Sequence, residues 1–221
     1  LGVAQGSSHE PQLVVMHYAG GKKGDKPIVL VGKGVTYDTG GLSLKPTQSM
    51  TEMFMDMSGG AVVIHALSTL ARLKIKKNVI AVRPEAGNSV GGKSHGPRDR
   101  LHSMSGKTVE VRNTDAEGRL ILADALTYAQ KEFSPKLIVD VATLTGAAIV
   151  ALGQMCSAIL TRDEKLLPKV QALGEEKFQE LTGYLNLQCQ ELLEGLTVAL
   201  DMQEIATLAN TAHKLSGACA N

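Results

Sequence analysis

At 221 residues, 43% of them hydrophobic and 20% charged, the chain is long enough to bury a substantial core as one domain. A net charge of +1, with three Phe, four Tyr and no Trp, gives neither an electrostatic nor a stacking basis for binding nucleic acid, and no attraction to an acidic membrane surface. Cys156, Cys189 and Cys219 are odd in number and form no CxxC pair, which fits a reducing, cytoplasmic compartment, and no apolar run approaches the ~18 residues of a membrane span.

Residues 13–18 (LVVMHY) read as a strand, residues 19–27 as a Gly/Lys-rich turn and residues 28–31 as a short buried strand. Residues 32–46 (GKGVTYDTGGLSLKP) are too irregular for an element and too distinctive for a spacer, and long loops of that kind often carry function. A helix is predicted over residues 49–73, with Met50, Met53, Met57, Ala61 and Ile64 as its core stripe. Asp56 stands roughly 60° from Met53 on that helix, at about 100° per residue, so it borders the buried face and needs a partner. Ser58, Gly59 and Gly60 in mid-helix would cost of order 1 kcal/mol per Gly, which the close approach of another backbone would explain.

Residues 78–83 read as a strand, 85–107 as a long loop, 108–112 as a strand and 120–133 as a helix. Residues 137–142 read as another buried strand, ended by Thr143-Leu144-Thr145-Gly146. A further short strand is expected at 157–161, an amphipathic helix at 163–182 and helical pieces over 188–208. Strands alternating with helices argue for an α/β fold, a mixed, largely parallel sheet flanked by helices on both faces.

The corner at residues 113–119 (NTDAEGR) joins a predicted strand to a predicted helix, where side chains meet in a crevice outside the strand ends. If the corner is extended, Asp115, Glu117 and Arg119, spaced by two, point the same way and suit a cation plus a small anion. Ordinary helix capping, with Arg119 pairing to the acids, is the competing explanation. The upstream loop adds Lys33, Asp38 and Lys45, and the following helix adds Asp56. Four carboxylates cannot all ionise at close quarters without cations. Two divalent ions about 3.5–4 Å apart would neutralise them and clamp an attacking water. There is no HExxH and no Cys/His ligand pattern; the six His are expected at the surface or satisfied in the core, and an all-oxygen site is loose among Mg, Mn, Zn and Co.

A competing signature occupies residues 87–94 (GNSVGGKS), which fit the phosphate-cradling pattern G-x-x-x-x-G-K-[ST], and residues 137–140 (LIVD) look like the magnesium-binding strand of such nucleotide hydrolases. That cradle works only if a helix starts at Lys93. His95-Gly96-Pro97-Arg98 follow instead, with no helical period before Gly106, so a nucleotide hydrolase remains a remote alternative.

GKGVTYDTGG, Lys45, DMSGG and NTDAEGRLILADAL, at their relative spacing, closely resemble the leucine (cytosol) aminopeptidase family, and the resemblance runs from about residue 3 to the end. It implies a two-metal exopeptidase that removes N-terminal, preferably apolar, leucine-like residues from peptides. By that match Lys33, Asp38, Asp56 and Glu117 hold one metal, and Asp38, Asp115 and Glu117 the other, with Mn or Zn the expected ions and Mg or Co alternatives. Lys45 stabilises the oxyanion, and Arg119 holds a bicarbonate that acts as general base. Met53, Thr143, Leu144 and Gly146 line the pocket for the N-terminal side chain. The resemblance also implies a cytoplasmic homo-hexamer. Set against the family pattern, residues 1–221 are expected to be a single, incomplete catalytic domain lacking the family's N-terminal domain and C-terminal segment. A non-catalytic homologue or fragment with a structural or binding role is the alternative. Two local departures stand out. The family's Arg-Pro-Gly-Asp turn reads Gly96-Pro97-Arg98-Asp99, so a positive φ after Pro would strain Arg98. A Trp-containing stretch of the family appears as Tyr184-Leu185-Asn186-Leu187.

Overall fold

The computed structural model describes residues 2–154, 156–163, 165 and 168. Its contacts divide the chain into two units, Leu1–Ala151 and Leu152–Asn221, and the architecture below is that of the first. Most of the helix expected over residues 163–182, the pieces over 188–208 and the stretch 184–187 lie outside the described residues; 157–161 forms no strand.

The sheet is built around β4 (Asn78–Asn88), an eleven-residue strand. Val79, Ile80, Ala81 and Val82 are all buried, so this strand is covered on both faces. β1 (Gln12–Ala19) lies antiparallel along it, from Gln12 opposite Glu85 to Ala19 opposite Asn78. On the other side two short strands share its length. β2 (Ile28–Gly32) runs parallel to the first half, with Ile28 opposite Val79, and β3 (Gly34–Asp38) runs parallel to the second half, ending with Asp38 opposite Asn88. β7 (Leu137–Val141) pairs in parallel with β2.

Period-two alternation then assigns the two faces. Val29, Val31, Ile80 and Val82 pack with Leu122, Ala125 and Ala129 of α3 (Glu117–Phe133). Val79 and Ala81, with Leu30 beside them, pack against Val63 and Leu67 of α2 (Ser58–Arg72). Each of the buried Val, Leu and Ile side chains among them contributes about 1.5–3 kcal/mol relative to exposure. The mixed, largely parallel sheet with helices on both faces is therefore present as expected.

Several boundaries differ from expectation. The loop at 32–46 contains β3, because the strand that β2 begins resumes after Lys33 along the free half of β4. The loop expected from residue 85 starts only after Asn88. Among the described residues β5 (Arg100–His102) and β6 (Thr108–Glu110) pair only with each other, so the strand before the 113–119 corner belongs to a two-stranded hairpin and not to the main sheet. β7 is half-exposed, with Leu137 and Val139 each 40% exposed, since among the described residues it pairs on one side only.

The helix expected over 49–73 is broken into α1 (Thr47–Met50), a 3₁₀ turn at Met53–Met55, and α2. The methionine stripe is correspondingly only half-buried, and the buried face is Gly59, Gly60, Val63 and Leu67. The break has a local cause. Gly60 N–H donates to the Lys33 carbonyl at 2.7 Å, and a Cβ on Gly59 would strike the Val141 carbonyl, so the first turn of α2 lies directly on the sheet backbone. The glycines serve the close approach anticipated from sequence, but at a helix start. Thr47–Arg72 is apolar and long enough to match a membrane span by length and composition; here it is interrupted twice, and α2 presses its apolar face on the sheet. A short helix, α4 (Ala147–Leu152), follows β7.

Candidate metal centre

Lys33 occupies the gap between β2 and β3, held by its N–H donating to the Val141 carbonyl at 3.0 Å. Its side chain points inward and is 3% exposed. Nζ lies 2.9 and 2.8 Å from the two oxygens of Asp56, 2.8 Å from Glu117 Oε1, and donates to the Thr143 carbonyl at 2.6 Å. Asp56 follows the 3₁₀ turn and Glu117 opens α3, so three separate segments converge on one ammonium. Gly118 makes the approach possible: a Cβ there would stand 2.8 Å from both Cε and Nζ of Lys33. Thr143, just past β7, closes the group by donating from Oγ1 to Asp56 Oδ1 at 2.7 Å.

A second ammonium serves the other side. Lys45 Nζ lies 3.0 Å from Asp38 Oδ2 and forms a close ion pair with Asp115. Asp38 ends β3, and Asp115 sits in a 3₁₀ turn (Thr114–Ala116) capped by Asn113, whose side chain accepts from Asp115 N–H at 2.9 Å. The corner is thus helical and not extended, and alternation does not govern it. Asp115 and Glu117 still converge: ligand atoms of Asp38, Asp115 and Glu117 all lie within 4.8 Å of one another. Arg119, on the first turn of α3, is exposed and makes no ion pair among the described residues, so the pairing of Arg119 with the acids that the capping explanation expected is not found.

Asp38, Asp56 and Glu117 are 2%, 4% and 1% exposed. Burial pushes the Asp56 carboxyl above its ordinary range, more strongly than the Lys33 and Thr143 bonds draw it down. Burial likewise raises Glu117, with Lys33 opposing and the Asp38 charge adding to the rise. For Lys45 burial acts downward, but the bonds to Asp115 and Asp38 and their charges prevail, and the net shift is upward. Four carboxylates thus share two ammonium groups. Glu117 Oε2 is buried without a hydrogen-bond partner among the described residues. An orphaned carboxylate oxygen in an under-neutralised, oxygen-rich cluster is what a divalent cation would satisfy, so the residues fit such an ion.

The remaining sequence-predicted residues lie on the surrounding segments. Met53, in the 3₁₀ turn before Asp56, is half-buried; Leu144 is 44% exposed with its side chain beside Gly118, and Gly146 is exposed. Of the five described His none joins the cluster, but His95 is buried with neither ring nitrogen bonded, which differs from the expected surface or satisfied core position. The 87–94 segment ends β4 and passes into a turn, with Lys93 exposed and no helix starting there; the phosphate cradle is absent. Sequence reasoning did not find Asn88 and Thr114, both fully buried among the site residues, or the part played by Thr143 in holding Lys33 and Asp56. Their signal was weak: a lone amide inside a misleading motif, and small hydroxyl residues with no pattern of their own.

An α/β sheet that gathers carboxylates and lysines at the ends of its strands narrows the class, and comparison with known proteins assigns it. Residues 1–220 match the cytosol aminopeptidase family, catalytic domain. The chain belongs to that family. It is 48% identical over 181 residues to a probable cytosol aminopeptidase of Cenarchaeum symbiosum, covering 82% of this chain and 37% of the relative. Among solved structures, the leucine aminopeptidase of Caenorhabditis elegans superimposes with a TM-score of 0.73 at 39% identity, covering 76% of this chain and 34% of that one. The bottromycin maturation enzyme BotP in complex with Mn gives 0.73 at 41% identity, covering 79% and 38%. The chain spans 33–44% of the length of the curated relatives it matches.

Proposed function

We propose that this chain carries the active centre of a metal-dependent aminopeptidase that hydrolyses N-terminal, preferably apolar residues from peptides with two divalent cations. One observation carries the reading: four carboxylates converge on two ammonium groups and leave Glu117 Oε2 buried and unbonded. Lys33, Asp38, Asp56 and Glu117 would hold one cation, and Asp38, Asp115 and Glu117 the other. Cations held there would supply the charge that makes water nucleophilic at neutral pH. Manganese is favoured by the Mn complex of the BotP relative, with zinc, magnesium and cobalt as substitutes.

The residues of the chain do the rest. As a ligand Lys33 would offer the nitrogen of its neutral amine. Lys45 keeps its proton and brings positive charge to the oxyanion that develops on the substrate carbonyl. Arg119, exposed and unpaired among the described residues, is free to hold bicarbonate as a general base. Met53, Thr143, Leu144 and Gly146 border the place for the N-terminal side chain. Exposed Leu44 and Phe54, at 59% and 66%, support burial in a homo-oligomer, a hexamer by resemblance. The names of the relatives favour a cytoplasmic location.

The test is release of p-nitroaniline from leucine p-nitroanilide by the purified chain with Mn²⁺ or Zn²⁺ and an EDTA control. EDTA-sensitive turnover that falls about 10²–10³-fold in Lys45→Ala supports the assignment. Turnover unaffected by Lys45→Ala or Asp56→Ala overturns it, and a folded, Mn²⁺-loaded chain without turnover is a non-catalytic homologue.

A further inference from the structure

Asn88 is the last residue of β4, is 1% exposed, and lies in register with Asp38 at the end of β3. Its Nδ2 stands 2.8 Å from Asp38 Oδ1 and 3.0 Å from the Thr114 carbonyl. Both neighbours accept only, so the amide must present its NH₂ to them, and both hydrogens are used. The Asn88 carbonyl accepts from the N–H and the hydroxyl of Thr39, each at 2.9 Å, which pins the residue after Asp38 as well.

The consequences reach both halves of the cluster. Asp38 Oδ1 receives Asn88 Nδ2 and, at 2.9 Å, Gly40 N–H, and these two donors turn Oδ2 toward Lys45. Thr114 immediately precedes Asp115 and stands three residues before Glu117. Its own Oγ1 donates to the Gly40 carbonyl at 2.6 Å and accepts from Ser43 N–H at 2.7 Å, so the 38–43 loop and the 113–117 corner are stitched together around Asn88.

We infer that Asn88 is a positioning residue for the metal centre: it fixes the orientation of Asp38 against the corner carrying Asp115 and Glu117, and thereby sets the affinity for the cation. This rests on the metal-centre reading given above. It gives the amide inside the misleading phosphate-loop motif a purpose unrelated to nucleotides. Residues that orient ligating carboxylates characteristically change metal affinity ten- to a hundredfold when replaced.

The experiment is calorimetric titration of Mn²⁺ into the full chain and into Asn88→Ala and Asn88→Ser, with melting in EDTA measured in parallel. Both variants should melt cooperatively in EDTA and bind Mn²⁺ about ten- to a hundredfold more weakly. If Asn88→Ala does not fold, the serine variant, which retains a polar group, decides. Parental Mn²⁺ affinity in a folded variant overturns the inference, even when the parent releases leucine and the aminopeptidase reading stands. A parent that binds Mn²⁺ without turnover, with weakened variants, overturns the aminopeptidase reading and supports the role of Asn88. A parent that does not bind Mn²⁺ overturns both.

Discussion

Replacing Lys33 with Met tests the electrostatics of the centre without emptying it. Methionine has nearly the length of lysine and fills the same channel beside Gly118; only the charge and its donors are removed. In the metal-free protein that charge lies within 3 Å of Asp56 and Glu117 and supports the Thr143 carbonyl. Removing one partner of a buried ion pair typically costs about 3–5 kcal/mol, because the remaining charge is left without compensation. An exposed pair would cost about 0–1 kcal/mol. At about 2–4 °C per kcal/mol for a chain of this size, Lys33→Met should lower the melting temperature in EDTA near neutral pH by roughly 6–20 °C. The assay is differential scanning calorimetry of parent and variant in EDTA. The deficit should shrink in mild acid, where Asp56 and Glu117 bind protons and no longer need the ammonium. A loss under about 4 °C near neutral pH, the range of a surface pair, would refute the reasoning.

Two further predictions follow from the same structure. Burial raises Asp56 and Glu117 above their ordinary values of 3.8 and 4.5, so the folded chain holds protons there that the unfolded chain has released. Their contribution to stability is full below those ordinary values and is lost as pH climbs through the raised ones; urea unfolding in EDTA between about pH 4 and 8 should show stability falling over this window, and saturating Mn²⁺ should flatten the fall. Arg98 adopts φ +78°, the left-handed region that a glycine would enter without steric cost. Arg98→Gly should raise stability by about 0.5–1 kcal/mol, the steric strain relieved less the added freedom of the unfolded chain, read as a shift in the urea midpoint.

How far the sequence foretold all this depended on the kind of signal. The candidate ligands were legible in two ways: Lys33, Asp38 and Asp56 are charges in largely apolar or Gly-rich stretches, where burial is costly, and Asp115 and Glu117 mark a polar strand-to-helix corner; the structure brings all five together. The positive φ at Arg98 was legible only through the resemblance, which sets a glycine at that place in the turn; Pro97 alone suits turns of either sign of φ at the next residue. The interruption before Ser58 was not, since Met50, Met53 and Met57 keep a helical spacing through a segment that the backbone contact between Gly60 and Lys33 breaks. β3 was hidden for a related reason. Five residues between glycines carry little periodicity, and only the unpaired far half of β4 makes them a strand. Asn88 and Thr114 were invisible because their value lies in whom they meet across the fold, 50 and 26 residues from Asn88.

The division of one sheet position between β2 and β3 bears on where the chain can change length. The turn between β1 and β2 is exposed over residues 22–26, and an extra residue there would lengthen a surface loop at little entropic cost. An extra residue between Gly32 and Gly34 would be of another kind. Both strands are registered against the same β4, so the insertion could be absorbed only around Lys33, displacing its ammonium from the point where Asp56 and Glu117 meet it. Sequences descended from this fold should therefore vary freely in length at the first site and not at all at the second.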